Sequence, residues 1–269
     1  MRTTRSRPAR LFTSAAMFVA IAAATAGCQT TQSTETTGSL ALAPTDRPDA
    51  DWQRDIQVYG QRYRADPSNV DVALRYAQAL RATGQSAQAV AILQELSMAN
   101  PHNKVVLGEY GRALADAGQY EQALTVLDSS HTPEQPDWRI LSAQGAVLDQ
   151  MGQHVEAQRH YLTALKIVPN EPSVLSNLGL SYALSKDLKD AEATLRLAVA
   201  QKPADPRVRQ NLALVVGLEG RFAEAEEIAR ADLPPDQAAA NVAYLRQMLA
   251  RRNDMPKVAP SLQARAGSS

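Results

Sequence analysis

Few side chains in this 269-residue chain are placed for covalent or metal chemistry. Cys28 is the only cysteine, so no intramolecular disulfide can form and a thiolate metal site has little to draw on. The four histidines, His102, His131, His154 and His160, fit no metal-binding spacing and read as solvated or loop residues. Glu224, Glu226 and Glu227 cluster in one short stretch and read as an exposed helical face. Neither a glycine-rich phosphate loop nor a serine nucleophile elbow occurs. The residues therefore predict no enzyme, no cofactor and no metal, and they leave Cys28 as the position where a covalent event is expected.

The setting of Cys28 explains which event. Arg2, Arg5, Arg7 and Arg10 precede an apolar stretch from Leu11 to Ala26, which reads as an export signal. It falls short of the roughly 20 residues a spanning helix needs, so cleavage is favoured over the alternative of a retained membrane helix. Thr25-Ala26-Gly27-Cys28 then resembles the lipobox of bacterial lipoproteins, with Thr25 where leucine is usual. That resemblance implies a signal peptide over 1–27 and a diacylated Cys28 at the mature amino terminus. The other reading is a cysteine that merely falls in the signal region. Because Gln29 rather than aspartate follows, the resemblance further implies the outer membrane, on its periplasmic face. Two or more acyl chains hold stably, each buried CH₂ contributing about 0.8 kcal/mol.

Residues 28–49 are rich in Thr, Ser, Ala and Pro, too poor in large apolar groups to pack, and read as a lipidated terminus and flexible tether with a reach of roughly 25 Å. Residues 253–269 carry two prolines and no apolar period, and read as a disordered tail. The chain balances 28 basic against 28 acidic residues, and loss of the four signal arginines leaves it mildly acidic. No Lys/Arg-rich segment is present, which argues against nucleic acid as a partner.

Everything between is organised by one period. Units of 34 residues begin near Val70, Lys104, Trp138, Pro172 and Pro206 without insertion or deletion, giving repeats 70–103, 104–137, 138–171, 172–205 and 206–239. The eighth place is always small (Ala77, Gly111, Gly145, Gly179, Ala213) and the twentieth always alanine (Ala89, Ala123, Ala157, Ala191, Ala225). Apolar residues at helical spacing make each unit two amphipathic helices, and the small columns mark where they cross at close range. Gly84, Gly118, Gly152 and Gly220 at the fifteenth place end the first helix, with Lys186 in that place in the fourth unit. Pro101, Pro169 and Pro203 at the thirty-second stop the second helix. These columns together resemble the tetratricopeptide repeat (TPR). The resemblance implies an all-α solenoid of stacked antiparallel helix pairs in a right-handed superhelix over 50–252. Register places a lone capping helix at 51–65 and another at 236–252. Gln144, where leucine is typical, departs from the pattern, and Ala229 and Asp232 weaken the last second helix.

A partner is expected on the face of the first helices opposite their packing stripe, the concave side of such a stack. In the first three units that face is mostly polar, including Arg81, Arg112, Asp116, Arg139, Ser142 and Asp149; in the fourth and fifth it becomes apolar through Leu180, Leu184, Leu214 and Leu218, beside Asn177 and Arg207. These residues are expected to form a groove for an apolar or amphipathic protein segment. In the competing reading, the helix from Asp236 folds back and covers them. Asn177 and Arg207 also match two places of the peptide clamp in TPR co-chaperones, but Ser142, Ala146 and Asn211 occupy the others and leave that clamp incomplete.

The layout of lipobox, tether and about five TPRs is similar to the TadD-type assembly lipoproteins of tight-adherence (Flp) pili. That likeness implies a protein-binding assembly factor, pilotin-like, whose partner is a secretin or another pilus or secretion component. The alternative is a TPR scaffold lipoprotein in general cell-envelope biogenesis. An enzyme with a TPR appendage has no residues left over for a catalytic domain.

Overall fold

In the computed structural model, residues 47–201 and 205–254 are described, and all fall within one compact unit. They form twelve helices: α1 (Asp49–Ala65), α2 (Val70–Ala82), α3 (Ser86–Ala99), α4 (Lys104–Asp116), α5 (Tyr120–Asp128), α6 (Trp138–Gln150), α7 (His154–Ile167), α8 (Pro172–Leu184), α9 (Leu188–Val199), α10 (Pro206–Leu218), α11 (Phe222–Ala229) and α12 (Pro235–Asp254). No strand occurs among the described residues; one isolated bridge joins Thr132 and Gln135 in the α5–α6 loop. The fold is an all-α, TPR-like solenoid. None of the described helices is long and apolar enough to cross a membrane.

Local chemistry sets the helix ends. Each first helix (α2, α4, α6, α8, α10) starts behind a carboxylate or amide at the last place of the preceding unit: Asn69, Asn103, Asp137, Glu171 and Asp205. Each of these side chains accepts a backbone N–H of the first turn, which would otherwise lack a partner. The first helices end where the backbone turns left-handed, at φ 75° for Gly152 and at φ 69° for Lys186, the one non-glycine in that column.

Packing follows from the small columns. A Cβ on Gly145 would stand 2.7 Å from the ring of Tyr161, and one on Gly179 would stand 2.6 Å from Leu195. The alanines of the twentieth place are completely buried beside them. The two helices of a unit thus cross at a distance that admits no larger side chain.

Each second helix packs on the first helix of its own unit and on that of the next, so the core is built as a series of overlapping layers. First helices of successive units also approach within 8 Å between Cα atoms, whereas successive second helices do not. The stack therefore bends with its first helices on the inside. At the amino end α1 packs on α2 as a second helix would, burying Trp52 and Gly60 and placing Ile56, Tyr59 and Tyr63 against the first core layer. At the other end α12 contacts both α10 and α11, as a first helix would.

The second helices are unequal. α5 and α11 span nine and eight residues, against fourteen in α3 and α7. After α5 the loop 129–137 takes over, tucking Ser130 beside Gly108.

Candidate partner-binding face

The inner face divides into a self-satisfied polar half and an open apolar half. In the first half, Arg81 donates Nε to Asp116 at 2.6 Å and Nη1 to Glu109 at 2.9 Å, joining α2 to α4. Arg112 pairs with the same Glu109. Arg139 lies with its guanidinium 4.4 Å from the centre of the Trp138 ring. Further along, Asn177 donates to Ser142 Oγ at 3.3 Å and Asn211 to Ser176 Oγ at 3.0 Å, the same bridge repeated between successive first helices.

These bonds engage part of the expected face within the chain. On this face Arg81, Asp116, Ser142 and Asp149 tie one unit to the next, and Ser142 is fully buried. Asp149 accepts from Ser181 Oγ at 2.8 Å and from the Tyr161 hydroxyl at 3.1 Å, with His154 Nδ1 at 2.8 Å. Arg112 and Asn177 are likewise engaged within the chain.

The histidines depart from expectation too. His154 is held by Asp149, and His160 is half-buried beside His131 and Asp128. Burial lowers the pKa of His160, with His131 acting in the same direction and Asp128 against it. Gln144, in place of the usual leucine, is buried and donates Nε2 to Asp128 at 2.5 Å. No group of three or more potential metal ligands assembles among the described residues. Glu224 pairs with Arg196 and Arg221, and Glu226 with Arg230.

In the second half, Leu184 is 54% exposed and Leu214 is 42% exposed, while Leu180 and Leu218 are half-buried beside them. Arg207 is exposed and pairs through Nη2 with Asp205 at 2.8 Å. α12 does not cover this stripe. Its Leu245 sits against Gly217, where an added Cβ would lie 2.5 Å from Leu245 Cδ2. The same two places of the repeat meet four units earlier, where Glu109 contacts Arg81. α12 therefore occupies the first-helix seat of a sixth unit, in unbroken 34-residue register. In that register Tyr244 and Met248 fall one period after Gln210 and Leu214, and they are 55% and 49% exposed. The apolar stripe thus runs over three consecutive inner helices, α8, α10 and α12. Cys28 lies outside the described residues.

Layered helix pairs with an inner face of this kind define a helical-repeat scaffold, a class whose curved inner surface is an extended binding surface. The tetratricopeptide repeat family profile matches residues 51–101, 87–145 and 150–215, and the chain belongs to that family. No curated protein matches the chain at the sequence level. Among solved structures it is similar to PilW, described as a widely conserved type IV pilus biogenesis factor, with 16% identity and a TM-score of 0.62 over 72% of this chain and 91% of that one. It is also similar to the APC/C hetero-tetramer Cut9-Hcn1, with 13% identity and a TM-score of 0.61 over 76% of this chain and 40% of that one. The human IFIT1 dimer with m7Gppp-AAAA matches at 16% identity and a TM-score of 0.61, over 78% of this chain and 52% of that one. At these identities the likeness is one of fold.

Proposed function

We propose that this chain is a lipid-anchored assembly factor on the periplasmic face of the outer membrane, and that it serves Flp or tight-adherence pilus biogenesis in the manner of TadD, as a pilotin for the secretin. The observation carrying the reading is the uncovered apolar stripe over α8, α10 and α12, since a scaffold that only stacked upon itself would have no use for exposed Leu184, Leu214, Tyr244 and Met248 on one face. The lipobox-like Thr25 to Cys28 supports the anchor, and the fold shared with PilW is compatible with a role in pilus assembly. An acyl anchor would confine the groove near the membrane and raise its effective concentration against a secretin subunit.

Replacing Leu184→Glu together with Leu214→Glu puts two charges into the stripe at positions the core does not use. Capture of purified secretin should be lost while far-UV circular dichroism stays unchanged, and undiminished capture would remove the groove from the mechanism. In cells, deleting the gene should abolish secretin multimers; normal multimers and normal pili in the mutant would refute the pilotin role.

A further inference from the structure

The chemistry of the groove's occupant can be narrowed, given the partner-binding reading above. The inner-face places of α8, α10 and α12 carry no carboxylate: they hold Leu180, Leu184, Leu214, Leu218, Tyr244 and Met248 among Ser, Asn, Gln and small residues. The charged side chains there are arginines, Arg207 on α10 and Arg251 on α12, both exposed. Arg207 uses Nε and Nη2 on Asp205, which leaves Nη1 outside that pair. Glu219, at the end of α10, is turned to Arg221. On α2 and α4 the carboxylates that neutralise the guanidiniums stand on the inner face itself, whereas Asp205 pairs with Arg207 from the N-cap of α10.

Backbone satisfaction selects the occupant's conformation. Every wall of the groove is α-helical, with its N–H and C=O groups already used inside the helices, so an extended segment would find no ladder for its own main chain. A helix brings its backbone bonds with it. At interaxial spacings of about 8 to 10 Å the stripe across three helices is about 20 Å long, the length of about 13 helical residues. The chain's own residues 255–269 do not fit, since they contain two prolines, a lysine and an arginine but no Asp or Glu.

We infer that the groove formed by α8, α10 and α12 receives an amphipathic helix of a protein partner, with its apolar face on the Leu-Tyr-Met stripe and carboxylates along its margin facing Arg207 and Arg251. Three synthetic helical peptides of about 16 residues test it on the full chain by fluorescence anisotropy: one with a leucine face and glutamate margins, one with lysine in place of each glutamate, and one of the first composition scrambled to destroy the apolar face. The glutamate peptide should bind about tenfold more tightly than the lysine peptide, the scrambled one should not bind, and Arg207→Glu with Arg251→Glu should reverse the preference. Leu184→Glu with Leu214→Glu, checked for unchanged helicity, should abolish binding of both amphipathic peptides.

Equal binding of the glutamate and lysine peptides, lost in the leucine variant, would overturn the acidic assignment while leaving the groove in place. Binding that survives the leucine variant would overturn the site itself. Failure of every peptide would overturn a helical occupant, a result separate from secretin capture. Self-association abolished by the same leucine variant, measured by light scattering, would make a second copy the occupant and overturn the proposal.

Discussion

Lys186 shows how strongly one backbone position is constrained. It sits at φ 69° where the other units use glycine, and a side chain in that region costs about 1 to 2 kcal/mol. Lys186→Gly removes that strain but adds freedom to the unfolded chain, so it should stabilise by about 0.5 to 1 kcal/mol, read as a higher urea midpoint. His160 supplies a second residue-scale prediction. Its pKa is lowered in the fold, chiefly by burial, from an unfolded value near 6.5. The unfolded chain therefore binds the proton more readily, so stability is full above that value and falls as pH drops through it toward the depressed folded pKa. Urea midpoints taken from about pH 7.5 down to 5 should decline, and His160→Asn should flatten the decline; an identical slope would show that other groups carry it.

At the scale of the element, the first helices are capped by a periodic column while most second helices are not. Asp137 accepts the Arg139 N–H at 2.8 Å, whereas Gln153 ahead of α7 makes no side-chain cap bond. Asp137→Ala should cost about 1 kcal/mol in urea unfolding and Gln153→Ala little, and equal losses would deny the cap its role. The period, the crossing alanines and the turn glycines were legible because each rests on side-chain size or backbone conformation at one place. The cap column, Asn69, Asn103, Asp137, Glu171 and Asp205, is equally regular in the sequence, though a polar residue between helices gains its meaning only once the helix starts are fixed. The short α5 was less visible, since its only mark in the sequence is Pro136, one place later in its unit than Pro101, Pro169 and Pro203 in theirs. The polar ladder was hidden for another reason: Asn177 to Ser142 and Asn211 to Ser176 join residues 35 apart, a separation that means nothing until the units are stacked. Leu184 and Leu214 were legible as an unneeded apolar face. Tyr244 and Met248 were not legible as part of it, because the apolar face of the helix from Asp236 suits a cover for the groove as well as its continuation.

Across the whole molecule, stability is shared between neighbours only, because each helix contacts those of its own and adjacent units. The two ends are closed by half-units, α1 in the seat of a second helix and α12 in that of a first. Ala243, Arg246, Gln247 and Ala250 of α12 line an open cleft against Phe222 and Glu226 of α11, with Arg246 lying 5.2 Å over the Phe222 ring.

The wider backbone spacing of successive second helices carries a mechanical consequence. Along the inner rim, guanidinium pairs and amide bridges join helices whose backbones lie close, whereas the more widely spaced second helices are joined by side chains alone, as where Arg196 of α9 pairs with Glu224 of α11 at 2.7 Å, so flexing the arc strains its two edges unequally. The array should behave as a leaf spring, pliant when empty and stiffened by any rod laid across α8, α10 and α12. Small-angle scattering should then show a narrower spread of curvature once that groove is filled, and an unchanged spread would mean that the arc is rigid from the start.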